Sequence, residues 1–344
     1  MWFMKPNEYE IKERKNLKFV KSSEYNYIFN SENGFFARWG KTKEDNPQFS
    51  PFGPELLDVE ISTICSNGCS WCYKSNTSTG KNMSFSTFKK ILYKIPRNLT
   101  QIAFGIGDID ANPDLWKIFD YCKSKNIIPN ITINGNNLSR DLAKKLTKYC
   151  GAVAVSHYTD DLCFNAVKLL VDEGLNQVNI HKLVSRETLD SCYEVLNQVN
   201  RDPRLSRLNA IIFLSLKNKG KRNNYHRISR KYFSDLILNA MNSNVRIGFD
   251  SCSANKVLEV LKYHDNYQMI EMMSEPCESS CFSLYINVEG ISYPCSFLEG
   301  ENGFEGIDLL NINNFFKDVW FNVSIKNFRG RLLSQDRNCP HFKI

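Results

Sequence analysis

LLDVEISTICSNGCSWCY, residues 56–73, decides how the rest of the chain is read. Its opening, LLDVEIST, is a short apolar and β-branched run, the composition of a strand. The nine residues after Ile64 place Cys65, Cys69 and Cys72 in a loop of Ser, Asn and Gly. Buried cysteines are common small hydrophobes, but a polar loop does not collect three of them for apolar surface. Structural zinc asks for four N or S ligands, usually from two knuckles, and no fourth Cys or His lies nearby. Three thiolates from one loop can cap three irons of a 4Fe–4S cube and leave the fourth iron without a protein ligand.

Working outward, the strand-then-loop unit repeats. Strands are predicted at QIAFG (101–105), IPNITIN (128–134), AVAVS (152–156), QVNIHKLV (177–184), LNAIIFLSL (208–216) and VRIGFD (245–250). Between them lie helical segments such as SFSTFKKILYKI, NPDLWKIFDYCKS, LSRDLAKKLTKYC, DLCFNAVKLLVDEG and SRETLDSCYEVLNQV, with apolar residues at spacings of three and four and caps of Ser, Asn or Asp. About six β-α repeats demand right-handed crossovers and a mainly parallel sheet, closed, nearly closed or doubly wound. In each geometry the chemistry gathers at the C-terminal ends of the strands, which is where the cysteine loop begins.

The bulk properties agree with a packed enzyme. The chain has 344 residues, 42% hydrophobic and 24% charged, with no low-complexity tract or internal repeat. The N-terminal residues lack an apolar signal region and no segment is long enough to span a bilayer, so no membrane partner and a cytoplasmic location are expected. In that reducing setting, twelve cysteines read as metal-binding or catalytic groups more than as disulfides. The net charge of +7 is spread out, except in LKNKGKRNNYHRISRK (216–231), where seven Lys or Arg meet no acid. That stretch is either a solvated loop or a clamp for phosphate or an acidic partner.

The cysteine spacing, with Trp71 before the last Cys, resembles the signature of the radical S-adenosylmethionine (SAM) enzymes. The resemblance implies a partial (β/α)6 TIM-like barrel, an α/β fold, with a 4Fe–4S cluster on Cys65, Cys69 and Cys72 and SAM at its open iron. In AFGIGDIDANPDL, Gly107 and Asp108 stand where the family's Gly-Gly-Glu-Pro type motif holds the methionine amino group. Here Ile106 replaces one Gly and Asp replaces Glu. Asn134 and Gly135 correspond to a stretch near the ribose, and Ser156 to a polar residue near the SAM carboxylate. His181, on one strand face with Asn179, either faces the lumen or hydrogen-bonds within the wall.

A second group, Cys277, Cys281, Cys295 and Cys339, brackets a hairpin, SLYINV and ISYPC around Glu289-Gly290. Four thiols suit either structural zinc or one auxiliary 4Fe–4S cluster. Their arrangement resembles a single-cluster form of the extension called SPASM or twitch. The expected division is therefore 1–56, an N-terminal extension ending in a Pro/Gly linker; 57–250, the barrel; and 251–344, a small auxiliary iron–sulfur domain. Cys122, Cys150, Cys163 and Cys192 read as helix packing. Cys252, in DSCS after VRIGFD, is filler, a hydrogen-atom donor or a further cluster ligand, and Asp250 beside it is a candidate base.

The resemblance implies reductive cleavage of SAM to a 5'-deoxyadenosyl radical that abstracts hydrogen, with an electron donor such as flavodoxin or ferredoxin. A peptide or protein substrate is the first expectation, because family members with such extensions often modify them. Modification of a nucleoside or nucleic acid is the second, favoured by the basic stretch. A non-catalytic iron–sulfur or zinc protein on the same fold is the third.

Overall fold

The computed structural model describes residues 9–42 and 44–344. The chain opens with four short strands, β1 (Glu10–Arg14), β2 (Leu17–Lys21), β3 (Asn26–Asn30) and β4 (Phe36–Trp39), joined as an antiparallel meander. Val20, Tyr27 and Phe29 turn inward from it and are buried. The expected Pro/Gly linker is instead packed. Phe52 and Ser50 are buried, Ser50 N donates to the Cys281 carbonyl at 2.8 Å, and Trp320 Nε1 donates to the Ser50 carbonyl at 2.8 Å.

Seven parallel strands follow: β5 (Leu56–Glu60), β6 (Gln101–Gly105), β7 (Ile128–Ile133), β8 (Val153–Ser156), β9 (Val178–Val184), β10 (Ala210–Ser215) and β11 (Ile247–Phe249). Their order in the sheet is that of the sequence, the winding of a barrel and not of a doubly wound sheet. The crossovers carry α1 (Phe85–Lys94), α2 (Leu115–Ser124), α3 (Arg140–Tyr149), α4 (Asp160–Asp172), α5 (Leu189–Gln198) and α6 (Arg230–Met241). Ser84, Ser139, Thr159 and Ser229 cap four of them by accepting from backbone N–H groups three residues on.

Strand alternation sorts the wall into two faces. Leu57, Val59, Ile102, Phe104, Ile131, Ile133, Val153, Val155, Val178 and Ile180 are buried in the main core with the helices. The intervening residues, in register across the sheet, are Asp58, Ala103 and Asn130, then Gly105, Thr132, Ala154 and Asn179, then Ser156 and His181. Small side chains among them leave room on the inner face. Asp58, Tyr73 and His181 keep accessible surface although burial perturbs the titration of each, so they line an internal space.

After β11 come α7 (Ala254–Val260) and α8 (Tyr267–Met273), then β12 (Ser283–Ile286), β13 (Ile291–Tyr293), β14 (Ile307–Asp308) and α9 (Val323–Leu333). The hairpin was expected outside the barrel. Instead β12 pairs parallel with β5, Ser283 opposite Leu56 and Ile286 opposite Val59, so one sheet of ten strands runs from β11 to β14. Burial of Leu284 and Ile286 in the main core gives the reason, since it removes that apolar surface from water. Among the described residues, no helix is long and apolar enough to cross a membrane.

Candidate active site

The loop after β5 is seated by the loop after β6. Gly107 lies so close beneath it that a Cβ there would stand 2.0 Å from the Ile64 carbonyl oxygen and 2.6 Å from Cys65 Cβ. Only glycine permits that approach. Asp108 N donates to the Ile64 carbonyl at 3.1 Å, and the buried Asp108 carboxylate accepts from Ser66 N at 2.9 Å and Ser66 Oγ at 3.1 Å. Asn134 Nδ2 donates to the same carboxylate at 2.7 Å and lies 3.9 Å from Cys65 Sγ. Asp108 and Asn134, expected to face the methionine amino group and the ribose, here engage the cysteine loop itself.

Cys65, Cys69 and Cys72 each keep partial exposure. Burial raises the Cys69 thiol pKa, the Tyr158 hydroxyl lowers it, and Cys65 and Cys72 raise it again. Three partly exposed thiols on one loop with no competing packing role fit an iron–sulfur group. Trp71 stacks on Tyr158 at 5.9 Å and packs on Tyr225 at 4.9 Å, forming an aromatic wall beside the thiols. Ser156 sits opposite His181 in the β8–β9 register. Burial pulls the His181 pKa down to about 4 against a smaller upward pull from Asp250, so its imidazole is neutral near pH 7.

The basic stretch is not a free clamp. Gly220, at φ 106°, sits on the Cys72 backbone, where a Cβ would lie 2.2 Å from the Cys72 carbonyl oxygen. Lys221 N donates to Ser75 Oγ at 2.8 Å, and Arg222 donates to the Asn76 carbonyl at 2.7 Å. Lys219 Nζ reaches the Glu299 carbonyl at 2.6 Å and Glu301 at 2.8 Å. Several of these charges are spent closing a strap over the cysteine loop. From below, Lys74 Nζ meets Tyr285 Oη at 2.7 Å, Glu60 at 3.1 Å and Glu299.

On the far side of the strap lies the second thiol group. Cys277 and Cys281 are buried, while Cys295 and Cys339 are partly exposed. Neighbouring Cys277 and burial push the Cys252 thiol pKa well above its ordinary range, and Cys252 adds to the upward shift of Cys295. Asp250, a candidate base from sequence, is ion-paired with buried Lys217 and accepts from Ser253 Oγ. Burial alone would lower the Lys217 pKa, but Asp250 and Cys252 raise it. Among the described residues, no three His, Cys, Asp or Glu side chains gather closely enough to hold a single metal ion.

Tyr158, Tyr225, Lys217 and Lys74 were missed from sequence. Lys74 follows the cysteine motif and Tyr158 follows Ser156 by two positions, so proximity to known motifs was the available signal. Tyr225 and Lys217 carried none beyond the charge run.

A partial parallel barrel with a thiol-rich loop at the C-terminal end of its first strand is the class these features define. Residues 59–162 match the family model described as the Radical SAM superfamily. Residues 59–162 thus carry a radical SAM domain, which implies a 4Fe–4S cluster and SAM. No curated protein matches the chain. Among solved structures, it resembles Streptococcus suis SuiB bound to S-adenosylmethionine, at 12% identity and a TM-score of 0.67, covering 92% of this chain and 90% of that one. SuiB bound to precursor peptide SuiA matches with the same identity, coverage and score. Native anSMEcpe with bound AdoMet and Cp18Cys peptide matches at 15% identity and a TM-score of 0.58, covering 83% of this chain and 86% of that one.

Proposed function

We propose that this enzyme reductively cleaves SAM and uses the resulting 5'-deoxyadenosyl radical to abstract hydrogen from a peptide or protein. Cys65, Cys69 and Cys72 would hold the 4Fe–4S cluster, with Trp71, Gly107, Asp108, Asn134, Ser156 and His181 around the SAM-binding mouth. When bound, the cluster supplies the electron that breaks the sulfonium C–S bond. The chain's own part is to seat the loop through Asp108 and Gly107, to wall the mouth with Trp71 and Tyr158, and to exclude water beneath the strap. The single observation that carries the reading is the three-thiol loop fastened at the barrel mouth by Asp108, Ser66 and Asn134.

The peptide substrate is supported by the fold likeness to SuiB bound to precursor peptide SuiA and to anSMEcpe bound to Cp18Cys peptide. A nucleic-acid substrate has less support, because Lys217 and Lys219 of the basic stretch have internal partners. The Cys277, Cys281, Cys295 and Cys339 group is proposed to hold one auxiliary 4Fe–4S cluster within residues 251–344. Flavodoxin or ferredoxin is proposed as electron donor.

The test uses anaerobically reconstituted protein with a strong reductant. Wild type should form 5'-deoxyadenosine from SAM, and Cys69→Ala should not. Deuterium carried by a peptide substrate should appear in the 5'-deoxyadenosine. Label transfer from nucleosides but never from peptides would reverse the substrate assignment, and no SAM cleavage at all would leave a non-catalytic metal protein.

A further inference from the structure

The strap accounts for only part of the basic stretch 216–231. Lys217 and Lys219 are spent on Asp250 and Glu301, whereas Arg227 and Arg230 line a separate cavity together with Lys256 of α7. Glu259 is the one acid on its wall. The rest is largely apolar, with Val184 and Leu216 at the ends of β9 and β10, Phe233 from α6 and Val260 from α7. Its volume, about 150 Å³, is that of a cavity that holds one benzene-sized group. That is room for one side chain and not for a nucleotide.

The cations are held in place without being neutralised. Arg186 N donates to the His226 carbonyl at 2.7 Å and His226 N donates to Glu187 at 3.0 Å, so the backbone entering Arg227 is fixed on both sides. Glu187 is thereby occupied by His226, whose Nδ1 also lies 2.8 Å from it. Arg230 pairs with Glu259, but among the described residues Arg227 and Lys256 form no salt bridge. Burial lowers the Lys256 pKa, and Arg227 and Arg230 lower it further against a weaker upward pull from Glu259. Three cations facing one acid leave an excess of positive charge over an apolar floor, and an entering anion relieves their repulsion.

The cavity also lies close to the reaction mouth. Arg227 stands two residues past Tyr225, at most about 7 Å of extended chain, and the Tyr225 ring packs on Trp71 at 4.9 Å.

We infer that this cavity binds an acidic side chain of the peptide substrate, a few residues away from the one that reacts. The inference rests on the peptide reading given above and names a feature of that substrate. Arg227 and Lys256 hold the carboxylate through charge-assisted hydrogen bonds, and the methylene stem lies on the apolar floor. A backbone phosphate brings no such stem, which favours the carboxylate over a nucleic acid.

The experiment exposes immobilised, anaerobically reconstituted full-length protein to a synthetic pool of random ten-residue peptides and identifies those retained by mass spectrometry. Peptides retained by the wild type should be enriched in Glu or Asp about tenfold or more, as one hydrogen bond to a charged group supplies. Arg227→Gln/Lys256→Gln should abolish that enrichment. Both side chains are exposed and leave no acid partner behind, so this variant should unfold at the wild-type temperature. Lys231→Gln/Lys262→Gln removes the same charge from exposed positions outside the cavity and should keep the enrichment.

Peptides retained without acid enrichment would overturn the site and leave the peptide reading standing, as would enrichment that survives in the cavity variant or is lost equally in the control. An eight-nucleotide oligouridylate that binds the wild type more tightly than any retained peptide, and fails to bind the cavity variant, would reassign the cavity to phosphate and overturn the inference. Retention of no peptide at all would reject the peptide reading, and this inference with it.

Discussion

Gly107→Ala probes the contact on which the candidate active site is built. A Cβ at that position needs the Ile64 carbonyl and Cys65 Cβ to retreat, the former by more than an ångström to reach ordinary contact distance. Overpacking of this kind costs about 1–3 kcal/mol. The retreat also strains the Asp108 N–H bond to Ile64, worth about 1 kcal/mol, and the charge-assisted bonds from Ser66 to Asp108, worth about 1.5–3 kcal/mol. Because these bonds stretch and do not all break, the expected loss is about 3–5 kcal/mol in denaturant titration of the iron-free protein. Iron bound by the first cysteine set should fall by half or more after reconstitution. Gly68→Ala is the control within the same loop: its added Cβ meets nothing within 4 Å, leaving only the φ of 59° to disfavour a side chain, about 1–2 kcal/mol. A Gly107→Ala protein with full iron content and a loss no larger than that of Gly68→Ala would refute the proposed seat.

Other perturbations test the groups around it. Lys217→Met leaves the partly buried Asp250 without its cation and should cost about 2–4 kcal/mol, with the Lys217→Met/Asp250→Asn double variant losing clearly less than the two single losses added; additive losses in urea titration would contradict the pairing. Burial pushes the Asp58 carboxyl up to about 6 from 3.8, so its ionisation opposes folding progressively as pH rises from 3.8 to 6. Asp58→Asn should therefore stabilise the protein by up to about 3 kcal/mol at pH 7 and by little below pH 4. His181 behaves in the reverse sense: with a folded pKa of about 4 against 6.5 unfolded, its contribution is complete above pH 6.5 and is lost as pH falls toward 4. His181→Gln should flatten the acid limb of the stability curve by up to about 3 kcal/mol, and an unchanged limb would place His181 in solvent.

The β-α repeat was legible because each barrel strand and helix declares itself over a short window. The strands at 101–105 and 128–133 and the helices from Phe85 to Gln198 carry local periodicity and caps that no distant contact has to supply. What escaped depended on long-range pairing. EIKER in β1 exposes nearly all its side chains and has no apolar face of its own, becoming a strand by pairing with β2. The junction of β12 with β5 links positions more than 220 residues apart, and no local pattern fixes that register. In 216–231 the charge run drew attention from what its end does, since Ser229 caps α6 and Phe233, Leu236 and Ile237 are the buried side of that helix. The thiols at 65, 69 and 72 were visible as a motif, but the turn of Asp108 toward Ser66 was not, because it depends on how two loops meet.

These long-range contacts explain how a cysteine loop with little core of its own is held in place. Residues 65–75 contain Gly68 and Ser75 at positive φ and no buried side chain, so in isolation the loop would open at small cost. Its fastenings come instead from three other parts of the chain: Asp108 and Asn134 from the strand ends beside it, Gly220 and Lys221 from the strap, and Glu60, Tyr285 and Glu299 through Lys74. The strap is fastened in turn by Lys219 to Glu301 and by Lys217 to Asp250. Opening the loop therefore requires several of these bonds to break together, which makes its position a property of the whole sheet from β5 to β12. A mouth held this way keeps its geometry whether or not a substrate is present, and pre-set geometry is what aiming a reactive radical at one C–H bond demands.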